Sequence, residues 1–474
     1  MNEGLNVFVG LTPGQREARL LRCGLHAAMT SAGEGKPRQA KAGNSNKKAV
    51  NTYGSEPESI SHKQRYRVSV FNLEVIQFQA LGTGQAMRKD LHSGGLRTAA
   101  ERETVNSGFT GGNGLGNAGN GFGAWDGQQE GNSLPVMRRG TAGLLRGTAI
   151  RALYSLGLDS GVVWLTAMGE RHYAVEDVIP LLNTPGQPLP APFQAASQAL
   201  ALALAGEQPG RPGLLMGMDP EFLLLRGSSG RVVPASRFLP LDGVAGCDAG
   251  PPGTQGMFPV AELRPAPRGE PRALLAQLMS AARAADRLVA DRSLSWRAGG
   301  MPLRGWALGG HLHFSGVTLT APLLRALDNY LALPLMLLED ARATARRPRY
   351  GVLGDFRIQP HGGFEYRTLP SFLVSPVIAK GAVFLAHLIV SRYEDLALRP
   401  LDREDLHAAY YSGNKTPLRA AFIPLQAQLR SLRGYAQAAR YVEPLLEYIA
   451  AERTWDESRD IRMLWQGCSQ STPV

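Results

Sequence analysis

The chain is expected to fold as an α+β protein, and three features of its 474 residues point there. Four short stretches in its second half alternate polar and apolar residues with a period of two, as half-buried strands do. The segments around them, 270–292, 321–344 and 375–397, carry apolar residues at three- and four-residue spacing, as helices packed on a core do. A Pro-rich run, NTPGQPLPAPF at 183–193, separates this part from a smaller and less regular first part.

Residues 1–185 read as a small N-terminal α+β module. RVSVFNLEVIQF (67–78) and SGVVWLTA (160–167) have strand character, and a helix is expected from Thr141 to Leu156. Two segments, about 30–65 and 106–133, are expected to be loops or disordered. The first is poor in apolar residues and the second opens on a run of Gly and Asn, so neither buries enough surface to offset its ordering entropy. The Gly run lacks the preceding strand and following helix of a dinucleotide-binding fingerprint. Residues 186–212 are expected to form a linker and an Ala-Leu helix over 195–205, 213–400 a second domain that alternates strands with helices, and 401–474 a mainly helical extension with SGNKTP as a turn.

Composition narrows the function. A hydrophobic fraction of 44% supplies cores for two or three domains. Cys23, Cys247 and Cys468 are too few and too scattered for a disulfide framework or a thiolate zinc site, so a reducing compartment such as the cytoplasm is expected. The first residues do not read as a secretory signal, and no apolar run reaches the roughly 18–20 residues that cross a bilayer, so no membrane partner is expected. The formal charge of +11 comes mostly from dispersed Arg without a nucleic-acid-binding module, so nucleic acid is not expected either. The same excess suits ATP or an acidic substrate.

The four strands carry the chemistry. In LLMGMDPEFLLL, alternation turns Asp219 and Glu221 to one face and Met218, Phe222 and Leu224 to the other. Pro220 has no backbone donor, which predicts an edge strand or a bulge. FPVAELRP turns Glu262 and Arg264 together. RGWALGGHLHFSG turns His311 and His313 together behind Gly309 and Gly310, and GGFEYRTLPS does the same with Glu365 and Arg367. The segment before the last strand holds Arg346, Arg347, Arg349, Arg357 and His361, and reads equally as a solvated basic loop or an anion clamp.

Each motif alone has an ordinary reading: an acidic strand face, a surface ion pair, a structural histidine. Together they give four strands whose apolar faces can pack on helices and whose polar faces can line one cavity. Carboxylates crowded there would repel and protonate unless a cation compensated them. Asp219, Glu221, Glu262, His311 and Glu365 are therefore the candidate metal ligands. Carboxylate oxygens with one or two imidazoles and no thiolate suit Mg²⁺ or Mn²⁺, and nearby Arg would then face phosphoryl oxygens.

The ordered set Asp219-Pro220-Glu221-Phe222, Ala261-Glu262-Leu263-Arg264-Pro265, Gly309-Gly310-His311-Leu312-His313-Phe314 and Phe364-Glu365-Tyr366-Arg367-Thr368 resembles the glutamine synthetase and glutamate-cysteine ligase superfamily. Within it, the resemblance is to the putative amidoligases known as phage-type carboxylate-amine ligases, over about residues 213–395. It departs in having Asp-Pro-Glu where the better-known ligases have Glu-x-Glu. The resemblance implies a glutamine synthetase-like curved antiparallel sheet with helices on its outer face, and two or three Mg²⁺ or Mn²⁺ ions between ATP and an acid. It implies metal-ligand roles for Glu221, Glu262, His311 and Glu365, and for Asp219 beside them. Arg349, Arg357 and Arg367 would hold the nucleotide, while Arg367, Arg264 and His313 would serve the reaction. The activity implied is ATP-dependent joining of a carboxylate to an amine through an acyl phosphate, with a small molecule, peptide or protein side chain on either side. Three alternatives stay open: a guanidino kinase of the same superfamily, a metal-dependent hydrolase, and a non-catalytic assembly or tagging protein.

Overall fold

The computed structural model describes residues 2–29, 64–81 and 139–466, apart from 170, 185 and 228. Except for Gln64 and Arg65, the segments 30–65 and 106–133 lie outside the described residues, as does Cys468.

The first part builds a mixed sheet. After α1 (Leu5–Gly10), Thr12 and Gln15 form a reciprocal capping box that starts α2 (Pro13–Arg22), which leads to β1 (His26–Ala27). The stretch expected as one strand at 67–78 is instead a hairpin of β2 (Arg65–Phe71) and β3 (Glu74–Leu81). Its turn residues, Asn72 and Leu73, adopt φ of 43° and 68°. The near-alternation of FNLEVIQF hid this turn, but Asn tolerates the left-handed region and sets it there. Helix α3 (Arg139–Ser155) follows as expected, then β4 (Ser160–Ala167) and β5 (Tyr173–Pro180). The order is β1-β5-β4-β2-β3, parallel only between β1 and β5. Helix α4 (Ala191–Ala205) lays Phe193 and Leu200 on Phe71 and Val162 of this sheet.

The second sheet is antiparallel throughout. Its strands are β6 (Leu215–Arg226), β7 (Arg231–Val233), β8 (Ala245–Asp248), β9 (Val260–Leu263), β10 (Leu294–Arg297), β11 (Gly310–Ser315), β12 (Phe356–Ile358) and β13 (Phe364–Tyr366), with α5 (Pro271–Leu288) before β10. The path is β12-β13-β11-β6-β9-β8, and β7 and β10 pair with the far end of β6.

Strand β6 is therefore central, and the edge position predicted from Pro220 is not found. The proline is accommodated by a change of partner. Glu221 N donates to Gly309 O on the β11 side, while Met216 N donates to Arg268 O on the other. By alternation, the donor Pro220 lacks would face the second side, between the Met216 bridge and the Phe222–Ala261 pair, where the ladder is interrupted.

The helix expected over 321–344 is broken into α6 (Ala321–Leu327), a π turn (Asp328–Ala332), α7 (Leu333–Leu338) and a 3-10 turn (Ala341–Arg346). Pro334 has no N–H to return to the carbonyl of Tyr330, so the regular ladder cannot run through. Ser375 caps α8 (Pro376–Arg392) through Val377 N at 3.1 Å, and α9 (Glu404–Ser412), α10 (Lys415–Ser431), α11 (Tyr435–Ala450) and α12 (Arg462–Gln466) complete the chain. Two helical stretches, Ala321–Leu338 and Pro376–Asp395, are long and apolar enough to cross a membrane, yet 94% and 72% of their residues are buried in the protein. They are core helices here. One continuous set of buried apolar side chains, from Phe8 to Trp465, runs beneath both sheets.

Candidate active site

Register brings the four polar strand faces together. His311 lies opposite Asp219, Glu221 opposite Glu262, and Glu365 opposite His313 on its inner side and Arg357 on its outer side. The other face, with Met218, Phe222, Leu312, Phe314, Phe364 and Tyr366, is buried in the core. The face predicted from alternation is thus continuous across five strands, β12-β13-β11-β6-β9.

Its two ends differ in contacts. At the β11–β13 end, His313 Nε2 is 2.9 Å from Asp219 Oδ2, and His311 Nδ1 is 3.2 Å from Asp219 Oδ1 and 3.3 Å from Glu365 Oε1. Glu365 is almost fully buried and lies 3.4 Å from both Arg357 Nη1 and Arg367 Nε. Gln359 Nε2 donates to its Oε2 at 2.9 Å. At the β6–β9 end, Gly309 N donates to Glu221 Oε2 at 2.6 Å, and Arg264 pairs with the buried Glu262. Arg264 reaches across β8 to donate to Leu241 O at 2.8 Å; a Cβ on Gly246 would collide with its guanidinium.

Protonation follows the partners. Burial pushes Asp219 up, but the imidazoles of His311 and His313 outweigh it and hold the carboxyl well below the usual range. Burial lowers His311, yet Asp219, Glu221 and Glu365 together raise it. Burial also raises Glu221, against the pull of His311 and the Gly309 N–H. Glu262 is pushed up to about 9 by burial and by the neighbouring charge of Asp219, which Arg264 offsets only in part.

Of the sequence-predicted metal residues, Asp219 and Glu365 join His313 in one cluster whose ligand atoms all lie within 4.8 Å of one another. Its donors are carboxylate oxygen and imidazole nitrogen, and Asp219 Oδ1 is buried without a hydrogen-bond partner, so the residues fit a divalent cation of the Mg²⁺ or Mn²⁺ kind. His311, Glu221 and Glu262 extend along the same face. Arg357, Arg367 and Arg264 are on it too. Arg349 is exposed and lies over the ring of Tyr350, 5.5 Å away. Its neighbours Arg346 and Arg347 are buried and committed inside the fold, Arg346 to Thr368 O and Leu369 O at 3.0 Å each and Arg347 to Glu339 at 2.9 Å. The anion-clamp reading of that segment thus narrows to its strand part. Gln359, which the motif reading missed, stands two residues from Arg357 and could have been found by the same alternation.

A family described as phage phiEco32-like COOH.NH2 ligase-type 2 matches residues 216–466, more than half of the chain and every strand of the polar face. The chain belongs to this ligase family. No curated protein matches it. Among solved structures, a bifunctional glutathione synthetase from Pasteurella multocida is similar at 11% identity with a TM-score of 0.33, over 58% of this ligase and 52% of that chain. This ligase thus spans about half the length of that protein, and a likeness of that degree carries no weight for fold or function.

Proposed function

We propose that this ligase uses ATP to join a carboxylate to an amine through an acyl phosphate, on a sheet curved as in glutamine synthetase. In the first step the γ-phosphoryl group passes to a carboxylate oxygen and ADP leaves. In the second the amine nitrogen attacks the acyl carbon, and phosphate and a proton leave.

The reading is carried by one juxtaposition. Asp219 Oδ1 is a buried acceptor with no hydrogen bond, 3.2 Å from His311 Nδ1, which is itself 3.3 Å from Glu365 Oε1, and Arg367 Nε is a buried donor with no hydrogen bond, 3.4 Å from the same Oε1. Such a face can hold a cation and a multivalent anion side by side, as phosphoryl transfer requires. Asp219, His313 and Glu365 would hold the cation, which supplies neutralising charge between carboxylates and phosphates when bound. Arg357 and Arg367 would orient the anion, and Arg264 would keep Glu262 in place on the same floor. The buried helices beneath the sheet give these groups a rigid support, so alignment costs little at the moment of reaction.

The test is phosphate release from Mg-ATP by the purified ligase against pools of acids and amines, with products read by mass. The expected product has the mass of acid plus amine minus water and requires ATP, and Glu365→Ala lowers its rate at least about a hundredfold. A product formed without ATP, or a stable phosphoramidate, would sink the proposal.

A further inference from the structure

The hairpin that carries Arg357, Glu365 and Arg367 hangs from a loop, residues 351–355, that is tied from both sides. From its own side, Thr368 Oγ1 donates to Val352 O at 2.8 Å and Arg367 N to Asp355 O at 2.9 Å. From below, Asp328 Oδ1 accepts from Gly354 N at 3.0 Å and from Tyr366 O–H at 2.7 Å, and its Oδ2 accepts from Tyr154 O–H at 2.7 Å. Tyr366 stands between Glu365 and Arg367. Tyr154 belongs to α3, in the first part of the chain. Its ring sits where a Cβ on Gly354 would be, and Gly354 has φ of +68°, so only glycine fits the contact and the turn without strain.

A second thread runs alongside. Tyr411 Oη accepts from Leu353 N at 3.2 Å, and Cys23 Sγ, at the end of α2, lies 3.3 Å from that oxygen. Arg325 also holds Tyr154, its guanidinium 4.5 Å over the ring while donating to Leu158 O at 3.0 Å. Tyr154, Asp328 and Tyr366 are all buried. Asp328 also opens the π turn, an irregularity that recurs at functional positions of helices.

We propose that the N-terminal part of this ligase is a positioning element for its active site: Tyr154, acting through Asp328, sets the place of the β12–β13 hairpin and with it Arg357, Glu365 and Arg367. Neither Tyr154 nor Asp328 reaches the polar face, so both act through the strand. An N-terminal part that served only as a neighbouring domain would have no need of a buried tyrosine–aspartate–tyrosine bridge ending between two site residues. The significance of Glu365 and Arg367 rests on the ligase reading; the mechanical link to the hairpin does not.

The test uses the full chain with Tyr154→Phe, which keeps the ring on Gly354 and removes one O–H. Amide hydrogen exchange across 352–368 should quicken about tenfold, because a buried hydrogen bond to a carboxylate is lost, while exchange across β9 (260–263) stays at the wild-type rate. Asp328→Asn, which keeps an acceptor for Gly354 and Tyr366, should hold most of the protection, and Asp328→Leu should lose it. Faster exchange everywhere would mean general destabilisation, and unchanged exchange at 352–368 would mean no link; either overturns the proposal. The exchange needs no turnover, so absence of ligase activity would sink the function and leave this link standing. Where turnover is measured, Tyr154→Phe should lower kcat about tenfold, by slight misplacement of the hairpin.

Discussion

The two ends of the polar face hold the same kinds of residue in opposite states. At the β11–β13 end a carboxyl, Asp219, is kept ionised although burial opposes it, because two imidazoles face it. At the β6–β9 end a more deeply buried carboxyl, Glu262, is pushed up to about 9 by burial and its acidic neighbours, with only Arg264 pulling the other way. The difference shows that two imidazoles facing one carboxyl outweigh its burial, whereas a single guanidinium beside acidic neighbours does not. It also ranks the ends as candidate cation sites: the first presents three possible ligand atoms within 4.8 Å of one another, while the second would have to release a proton for a cation to enter.

The largest expected effect tests that ranking. His313→Ala or Asp219→Ala should weaken Mn²⁺ binding to the purified protein at least about tenfold, the order of change that disturbing a metal shell brings. Glu262→Gln should weaken it less. Calorimetric titration of the three variants with Mn²⁺ decides the order, and a larger loss at Glu262 would reverse the comparison.

Next comes Gly246→Ala, which sets a methyl group against the Arg264 guanidinium where it crosses β8 while substituting neither member of the Arg264–Glu262 pair. Because the obstructed atoms are the end of a long side chain, Arg264 should swing away, losing its bond to Leu241 O at a cost of about 1 kcal/mol by urea denaturation. A cost above about 3 kcal/mol would place the strain in the β8 backbone instead, in the range of forced overpacking.

The smallest effect is expected for Glu262→Gln on metal-free stability. Near neutral pH the carboxyl already carries its proton, so the amide replaces a neutral group of the same shape and the change should stay under about 0.5 kcal/mol. A loss of about 2 kcal/mol or more would show that Glu262 is ionised against Arg264, with the guanidinium left unpaired by the substitution.

Much of this was legible in the chain. Period-two alternation alone placed Asp219, Glu221, Glu262, Arg264, His311, His313, Glu365 and Arg367 on one face, because Cβ direction in a strand depends on position and little else. It did not separate Arg357, which stands on β12, from Arg349, whose contact is with its neighbour Tyr350. Both looked alike in a basic, Gly-broken segment. The hairpin at Asn72 and the break at Pro334 were written in single residues, a turn-forming Asn and a proline inside an apolar run, that the surrounding pattern outweighed.

The sequence by itself determined the chemistry of the face and its membership of a ligase family, since residue type and spacing along one strand are local properties. Only the tertiary structure decided that Pro220 lies in a central strand, that His313 stands with Asp219 and Glu365, and that the first part of the chain reaches the hairpin through Tyr154 and Asp328. Those relations join residues up to 174 positions apart in sequence. They depend on register and packing between elements, and no pattern within a single element contains them.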